Sequence, residues 1–190
     1  MSIGTLILLA VIVIAVVYSV LIYNGLVALK HNVAKSLANI DVLLKQRHDE
    51  LPKLVDTCKQ YMQYEQSTLE RVIGARSQVA RAQQNGDIKA LGTAEGELRA
   101  GLGQLFALAE NYPDLKTNET FRQLPQRISG LENAIADRRE IYNEAVNNNN
   151  VRREQFPDAV LAKFGNFPAF TLLQFSATEK TDIDVAALFK

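Results

Sequence analysis

The sequence predicts an all-α protein: an N-terminal transmembrane helix continuing into a long antiparallel helical bundle of about four helices, then a short extra helix and an extended C-terminal tail. Three observations predict it. An uninterrupted apolar run extends from Ile3 to Ile22, and twenty residues at about 1.5 Å rise span roughly 30 Å, the thickness of a bilayer's hydrocarbon core. Apolar residues beyond it recur at alternating gaps of three and four, the period of one helix face. No stretch alternates with a period of two, and the breaks between helical stretches are short, which implies antiparallel neighbours.

The run at Ile3–Ile22 differs from a cleaved signal peptide, which has a basic start, about 7–15 apolar residues and small residues at its cleavage site. Only Met1 and Ser2 precede it, and Tyr18, Leu21, Ile22 and Tyr23 stand where small residues belong. No cysteine lies near it for a lipoprotein linkage. The first basic residues, Lys30, Lys35, Lys45 and Arg47, all follow the run. The positive-inside rule then expects the N-terminus outside and the body in the cytoplasm.

From Leu26 the stripe Leu26, Leu29, Val33, Leu37, Ile40 and Leu44 contains no Pro, so the spanning helix is expected to run on into the body as one rod. The pattern breaks around Arg47–Glu50, and Pro52, with Asp49 as cap, suits the first turn of a second helix. That helix is expected to use Leu51, Leu54, Val55, Cys58, Met62, Leu69, Val72 and Val79 over about 34 residues, or roughly 50 Å. Asn85-Gly86-Asp87 is a turn signal, with Asp87 as the next N-cap. The third helix, through Leu91, Leu98, Leu102, Leu105 and Leu108, carries Gly92, Gly96, Gly101 and Gly103. Each glycine costs about 1 kcal/mol against Ala, so close packing must offset that or the segment frays. Tyr112-Pro113-Asp114 ends it, and Thr117 or Asn118 caps a fourth helix through Phe121, Leu124, Ile128, Leu131, Ile135, Tyr142 and Val146. Pro125 marks its regular start or a kink, and periodicity carries it across Asn147–Asn150 to about Gln155. A short helix at Ala159–Phe164 follows Phe156-Pro157. The organisation expected is 1–23 for tail and spanning helix, 24–166 for the bundle, and 167–190 for a docking tail holding Leu172, Leu173, Phe175, Val185, Leu188 and Phe189.

Without the span about 165 residues remain, enough for one core. Lys plus Arg and Asp plus Glu are 21 each, so no bulk field attracts nucleic acid or acidic substrates. The single cysteine, Cys58, has no internal disulfide partner and sits on a helix seam. His31 and His48 lack carboxylate or thiol neighbours at metal-ligand spacing, and no nucleotide-binding or hydrolase fingerprint occurs. No catalytic residue, metal site or cofactor is expected. The polar residues on or beside the apolar stripes are Asp41, Glu65, Arg76, Glu110, Glu132, Arg139 and Asn143. They are expected to act mainly as a structural polar network that sets helix register, because a charge in a core must be paired.

The chain resembles the LemA family over nearly its whole length. The resemblance rests on Tyr23-Asn24-x-Leu26-Val27, Ile40-Asp41-Val42-Leu43-Leu44-Lys45-x-Arg47-His48-Asp49, Leu51-Pro52-x-Leu54-Val55, Tyr61-x-x-x-Glu65 and Leu69-x-x-Val72-x-x-Ala75-Arg76. It continues through Glu110-x-Tyr112-Pro113-x-Leu115, Glu132-Asn133-x-Ile135, Arg139-x-x-Tyr142-Asn143-x-x-Val146, Phe156-Pro157 and Phe164-Gly165. Leu37, Tyr64, Pro125, Asn149 and Asn166 depart from the pattern. The resemblance implies an N-terminal anchor in the bacterial inner membrane and a cytoplasmic bundle without known enzymatic activity. The function expected is a non-enzymatic, self-associating scaffold or adaptor, a homo-oligomer that organises membrane or holds membrane proteins such as a membrane protease. The alternative is a tethered sensor binding a small ligand or peptide in a cavity lined by Glu65, Arg76 and Asn143.

Overall fold

The computed structural model describes residues 2–175, and among them every regular element is a helix. The elements are α1 (Ile3–Tyr61), α2 (Gln66–Asn85), α3 (Ile88–Ala109), α4 (Pro113–Thr117), α5 (Glu119–Glu154) and α6 (Asp158–Phe164).

The break expected at Arg47–Glu50 is absent: α1 passes through Pro52 and ends at Tyr61. Proline lacks the N–H that would bond to the carbonyl four residues back, so a helix interior leaves that carbonyl without its normal donor. Here the carbonyl is that of His48, and Arg76 Nε on α2 donates to it at 3.1 Å. The tertiary contact replaces the lost helical bond, and the chain instead turns at 62–65. Pro125 likewise lies inside α5, which begins before it at Glu119 and continues through Asn147–Asn150 to Glu154.

Asp49, expected as a cap, lies inside α1; the later capping signals act where the sequence puts them. Gly86 takes a left-handed φ of 65°, and Asp87 Oδ1 accepts from the N–H groups of Lys89 and Ala90, each at 3.0 Å. Asn118 Oδ1 accepts from Phe121 N–H at 3.1 Å. Gly92 is needed for close approach, because a Cβ there would collide with the backbone carbonyl of Gln174. At Gly103 a Cβ would meet nothing, so close packing accounts for one of these glycines and not the other.

The chain divides into two compact units, Met1–Ile40 with Arg138–Leu172 and Asp41–Asp137 with Leu173–Lys190. In the second, Leu44, Leu51, Leu54 and Cys58 of α1 are buried, as are Val72 of α2, Leu98, Leu102 and Leu105 of α3, and Ile128 of α5. Burying side chains of this size contributes about 1.5–3 kcal/mol each. Leu173 and Phe175 of the tail are buried as well.

In the first unit, Ile22 and Leu26 pack with Ala162 and Phe167. The extended segment after α6 lacks a helix or sheet to satisfy its backbone, and α5 side chains take that role. Arg153 Nε donates to Phe167 O at 2.9 Å, Asn149 Nδ2 to Pro168 O at 3.2 Å, and Tyr142 Oη to Thr171 O at 2.9 Å. Asn150 bonds Phe170 twice: its Nδ2 donates to the carbonyl at 2.9 Å and its Oδ1 accepts from the N–H at 3.0 Å. The remaining residues of the expected docking tail, Val185, Leu188 and Phe189 among them, lie outside the described residues.

Candidate functional site

Two features separate this chain from an ordinary helical protein: an apolar segment left on the outside and ionised groups placed on the inside. The first is the N-terminal part of α1. Within Ile3–Ile22 large apolar side chains such as Ile7, Leu8, Ile14 and Leu21 are more than half exposed. The Ser19 hydroxyl turns back onto the helix, Oγ donating to Ala15 O at 2.8 Å. A segment of this length and composition is long and apolar enough to cross a bilayer.

The second feature is a cluster in the Asp41–Asp137 unit. Arg47 of α1 and Glu95 of α3, each only 2% exposed, form an ion pair. The same guanidinium reaches Glu132 Oε1 of α5 at 3.3 Å, and Arg99 approaches the other oxygen at 3.9 Å. One cation thus joins three helices. Arg47 Nε is buried without a hydrogen-bond partner. Burial raises the Glu132 pKa above the ordinary glutamate value, opposed by Arg47 and Arg99 and reinforced by Glu95. Nearby Glu50, 8% exposed, accepts from Arg127 at 2.7 Å and Lys53 at 3.3 Å, and its Oε2 has no partner.

Arg47, Glu50 and Glu95 escape a reading that tracks apolar residues. The signal for two of them is positional: Arg47 falls between Leu44 and Leu51, and Glu95 between Leu91 and Leu98, each in step with the buried stripe of its helix.

The seven residues expected to form a polar network are distributed as follows. Asp41 accepts from Gln83 Nε2 at 2.9 Å, and Glu65 from Tyr112 Oη at 3.4 Å. Besides the His48 carbonyl, Arg76 engages His48 Nε2 at 2.7 Å. A guanidinium only donates, so Nε2 must be the acceptor and the ring neutral. Burial, with Arg76 beside it, lowers the His48 pKa accordingly. Glu110 is exposed and paired with Lys116, while Glu132 joins Arg47. Each of these five has a partner outside the set. Arg139 and Asn143 lie half-buried on α5 within the Met1–Ile40 and Arg138–Leu172 unit.

Neither a reaction centre nor a metal site emerges from the side chains that are described. No group of three or more His, Cys, Asp or Glu capable of holding a metal occurs among the described residues. Burial pushes the Cys58 thiol up to about 12, far from the range of a nucleophilic thiolate. An open cleft of about 650 Å³ borders the α1–α2 turn, lined by residues including Met62, Tyr64, Leu69 and Ile73. Glu65, Arg76 and Asn143 are not part of its lining. The seam around Arg76, among Leu44, Arg47, His48, Leu51, Val79 and Leu98, is packed without room for a water-sized occupant.

An all-α protein whose first helix carries a membrane-length apolar segment at one end and core positions at the other is the class that fold and site define. The chain belongs to the LemA family, whose model matches residues 36–186. It is similar to the Magnetosome protein MamQ 2 and Magnetosome protein MamQ 1 of Paramagnetospirillum magneticum. To each it is 24% identical over 191 residues, covering 88% of this chain and 70% of the relative. With the Magnetosome protein MamQ of Magnetospirillum gryphiswaldense it shares 23% identity over 168 residues, covering 76% of this chain and 62% of that protein.

Proposed function

We propose that this protein is a non-enzymatic, single-pass membrane scaffold that self-associates and holds neighbouring membrane proteins or shapes the membrane itself. The observation that carries the reading is the construction of α1, which supplies both the exposed Ile3–Ile22 segment and the buried stripe from Leu44 to Cys58. The apolar segment and the buried stripe are thus parts of one continuous helix, Ile3–Tyr61. The interior is committed to packing and ion pairing, which favours exposed helix faces as the working surface. Relatives named as magnetosome proteins support a role at a membrane. The positive-inside bias of Lys30, Lys35, Lys45 and Arg47 orients the N-terminus outward and the bundle toward the cytoplasm of a bacterial inner membrane. Partners of this kind are a second copy of the chain or a membrane protein such as a protease.

The test is the mass and composition of the full-length protein extracted in lipid nanodiscs. A large homo-oligomer, or a complex with a stoichiometric membrane partner, is expected, and charge reversal on an exposed bundle face should dissolve it while helicity persists. A lone monomer of about 21 kDa overturns the scaffold reading. A second reading, a tethered sensor, draws on the cleft bordered by Met62, Tyr64 and Ile73. It requires a ligand that raises the melting temperature in proportion to its concentration and loses that effect in Tyr64→Ala.

A further inference from the structure

Among the described residues, the two phenylalanines most exposed to solvent lie just before α6 and at its last position: Phe156 is 86% and Phe164 84% exposed. The other described phenylalanines, Phe106, Phe121, Phe167, Phe170 and Phe175, are buried or half-buried. Val160, one helical turn before Phe164 and on the same face, is 48% exposed. The opposite face of α6 presents Leu161 and Ala162 to the core.

Where that core lies gives the outward face its meaning. Ala162 and Phe167 pack on Ile22 and Leu26, with Leu161 and Val27 against them, and the Tyr23 and Phe167 rings meet edge-on at 5.5 Å. Ile22 is the last residue of the apolar segment. Val27 lies five residues further, or about 8 Å along the helix axis. The headgroup layer on each side of a hydrocarbon core has about this thickness, and short amphipathic helices sit in it with their apolar face about 5–10 Å deep. The polar groups around α6 suit that depth. Arg152 pairs with Asp158, Arg153 donates to the Phe167 carbonyl, and Lys163 is exposed, with Glu154 the acidic neighbour.

We infer that α6 and the turn before it form a second lipid contact, with Phe156, Val160 and Phe164 entering the headgroup–acyl boundary of the bilayer that Ile3–Ile22 crosses. The inference rests on the reading of Ile3–Ile22 as a membrane span. Continuity with that span selects lipid as the occupant: α6 packs by its inner face onto α1 where α1 leaves the hydrocarbon, so its apolar outer face lies at the level of the bilayer surface.

The chain contains no Trp, so a single introduced indole reports its own surroundings. Four single-Trp variants of the full chain, Phe156→Trp, Phe164→Trp, Ile12→Trp and Tyr64→Trp, are reconstituted into phosphatidylcholine–phosphatidylglycerol vesicles with brominated acyl chains. Equal far-ultraviolet circular dichroism checks that each is folded. Phe156→Trp and Phe164→Trp are expected to emit to the blue and be quenched comparably to Ile12→Trp, while Tyr64→Trp, at a position 93% exposed, stays red and unquenched. Quenching at Ile12→Trp without quenching at the two α6 positions overturns the inference and leaves the anchor standing. Blue-shifted but unquenched emission at those positions also overturns it, assigning the face to a protein, either a second copy or a partner. Unquenched emission from Ile12→Trp removes the span itself and the inference with it.

Discussion

The two compact units set polar groups into a helical core for different tasks. The unit built on Asp41–Asp137 uses ionised groups, Arg47 between Glu95 and Glu132, to join three helices. The unit built on Met1–Ile40 and Arg138–Leu172 relies largely on neutral groups, Tyr142, Asn149 and Asn150, with Arg153 at one end, to hold an extended segment by its backbone. The difference follows from what is being held. Helices satisfy their own backbone and need only register, which a charge that must be paired enforces strongly. An extended segment brings free N–H and C=O groups, and an amide, donor and acceptor in one side chain, matches both.

The comparison breaks most sharply at Arg47. Arg47→Met leaves the buried Glu95 carboxylate, and the half-buried Glu132 beside it, without their shared cation and should destabilise the fold by about 3–5 kcal/mol, measured by denaturant unfolding of the nanodisc-embedded chain. Adding Glu95→Gln and Glu132→Gln should recover most of that loss. A triple variant as unstable as the single one would show that Arg47 acts through packing rather than charge. Next comes Arg76→Leu, which removes the donor to the His48 carbonyl that Pro52 leaves without its helical bond and should cost about 1.5–3 kcal/mol. Combining it with Pro52→Ala, which restores the helical donor, should cost less than Arg76→Leu alone; an equal cost would uncouple the arginine from the proline. In the unit that holds the extended segment, Asn150→Ala should cost about 1 kcal/mol and speed hydrogen exchange at Phe170 N–H without altering that of Leu98.

The smallest expected effect is pH dependence, and it sharpens the contrast. His48 has a folded pKa below its ordinary value of 6.5. As pH falls through 6.5 the unfolded chain therefore takes up a proton first, and stability declines until the folded-state pKa is passed. Glu132 acts in the reverse sense: its raised folded pKa means that stability rises as pH falls from that value toward the ordinary glutamate range. Both effects belong to the Asp41–Asp137 unit. His48→Gln should abolish the first and Glu132→Gln the second, as read from melting temperature against pH.

The helices were legible because apolar spacing and capping are local. Asp87, Asn118 and Gly86 act where their residue types suggest, and the run Asn147–Asn150 stays helical because Val146 and its neighbours keep the period across it. What the sequence hid depends on partners distant in the chain. Pro52 reads as a helix start until the bond from Arg76, 24 residues later, is known. Arg47 reads as part of a break in the apolar stripe and Glu95 draws no notice, though each keeps its step, because nothing local says that an ion pair will accompany them inward. For Asn149 and Asn150 the periodicity predicts a helical setting and no partner, because the extended segment that they hold follows only after α6.

Cys58 gives all these experiments an internal clock. Its side chain is fully buried and its pKa is pushed up to about 12, while no second cysteine exists to compete for a reagent. A maleimide or iodoacetamide added to the intact protein therefore modifies only molecules whose core has opened. Counting tagged molecules by mass measures the frequency of that opening directly in the lipid-embedded chain, with no denaturant and no introduced label.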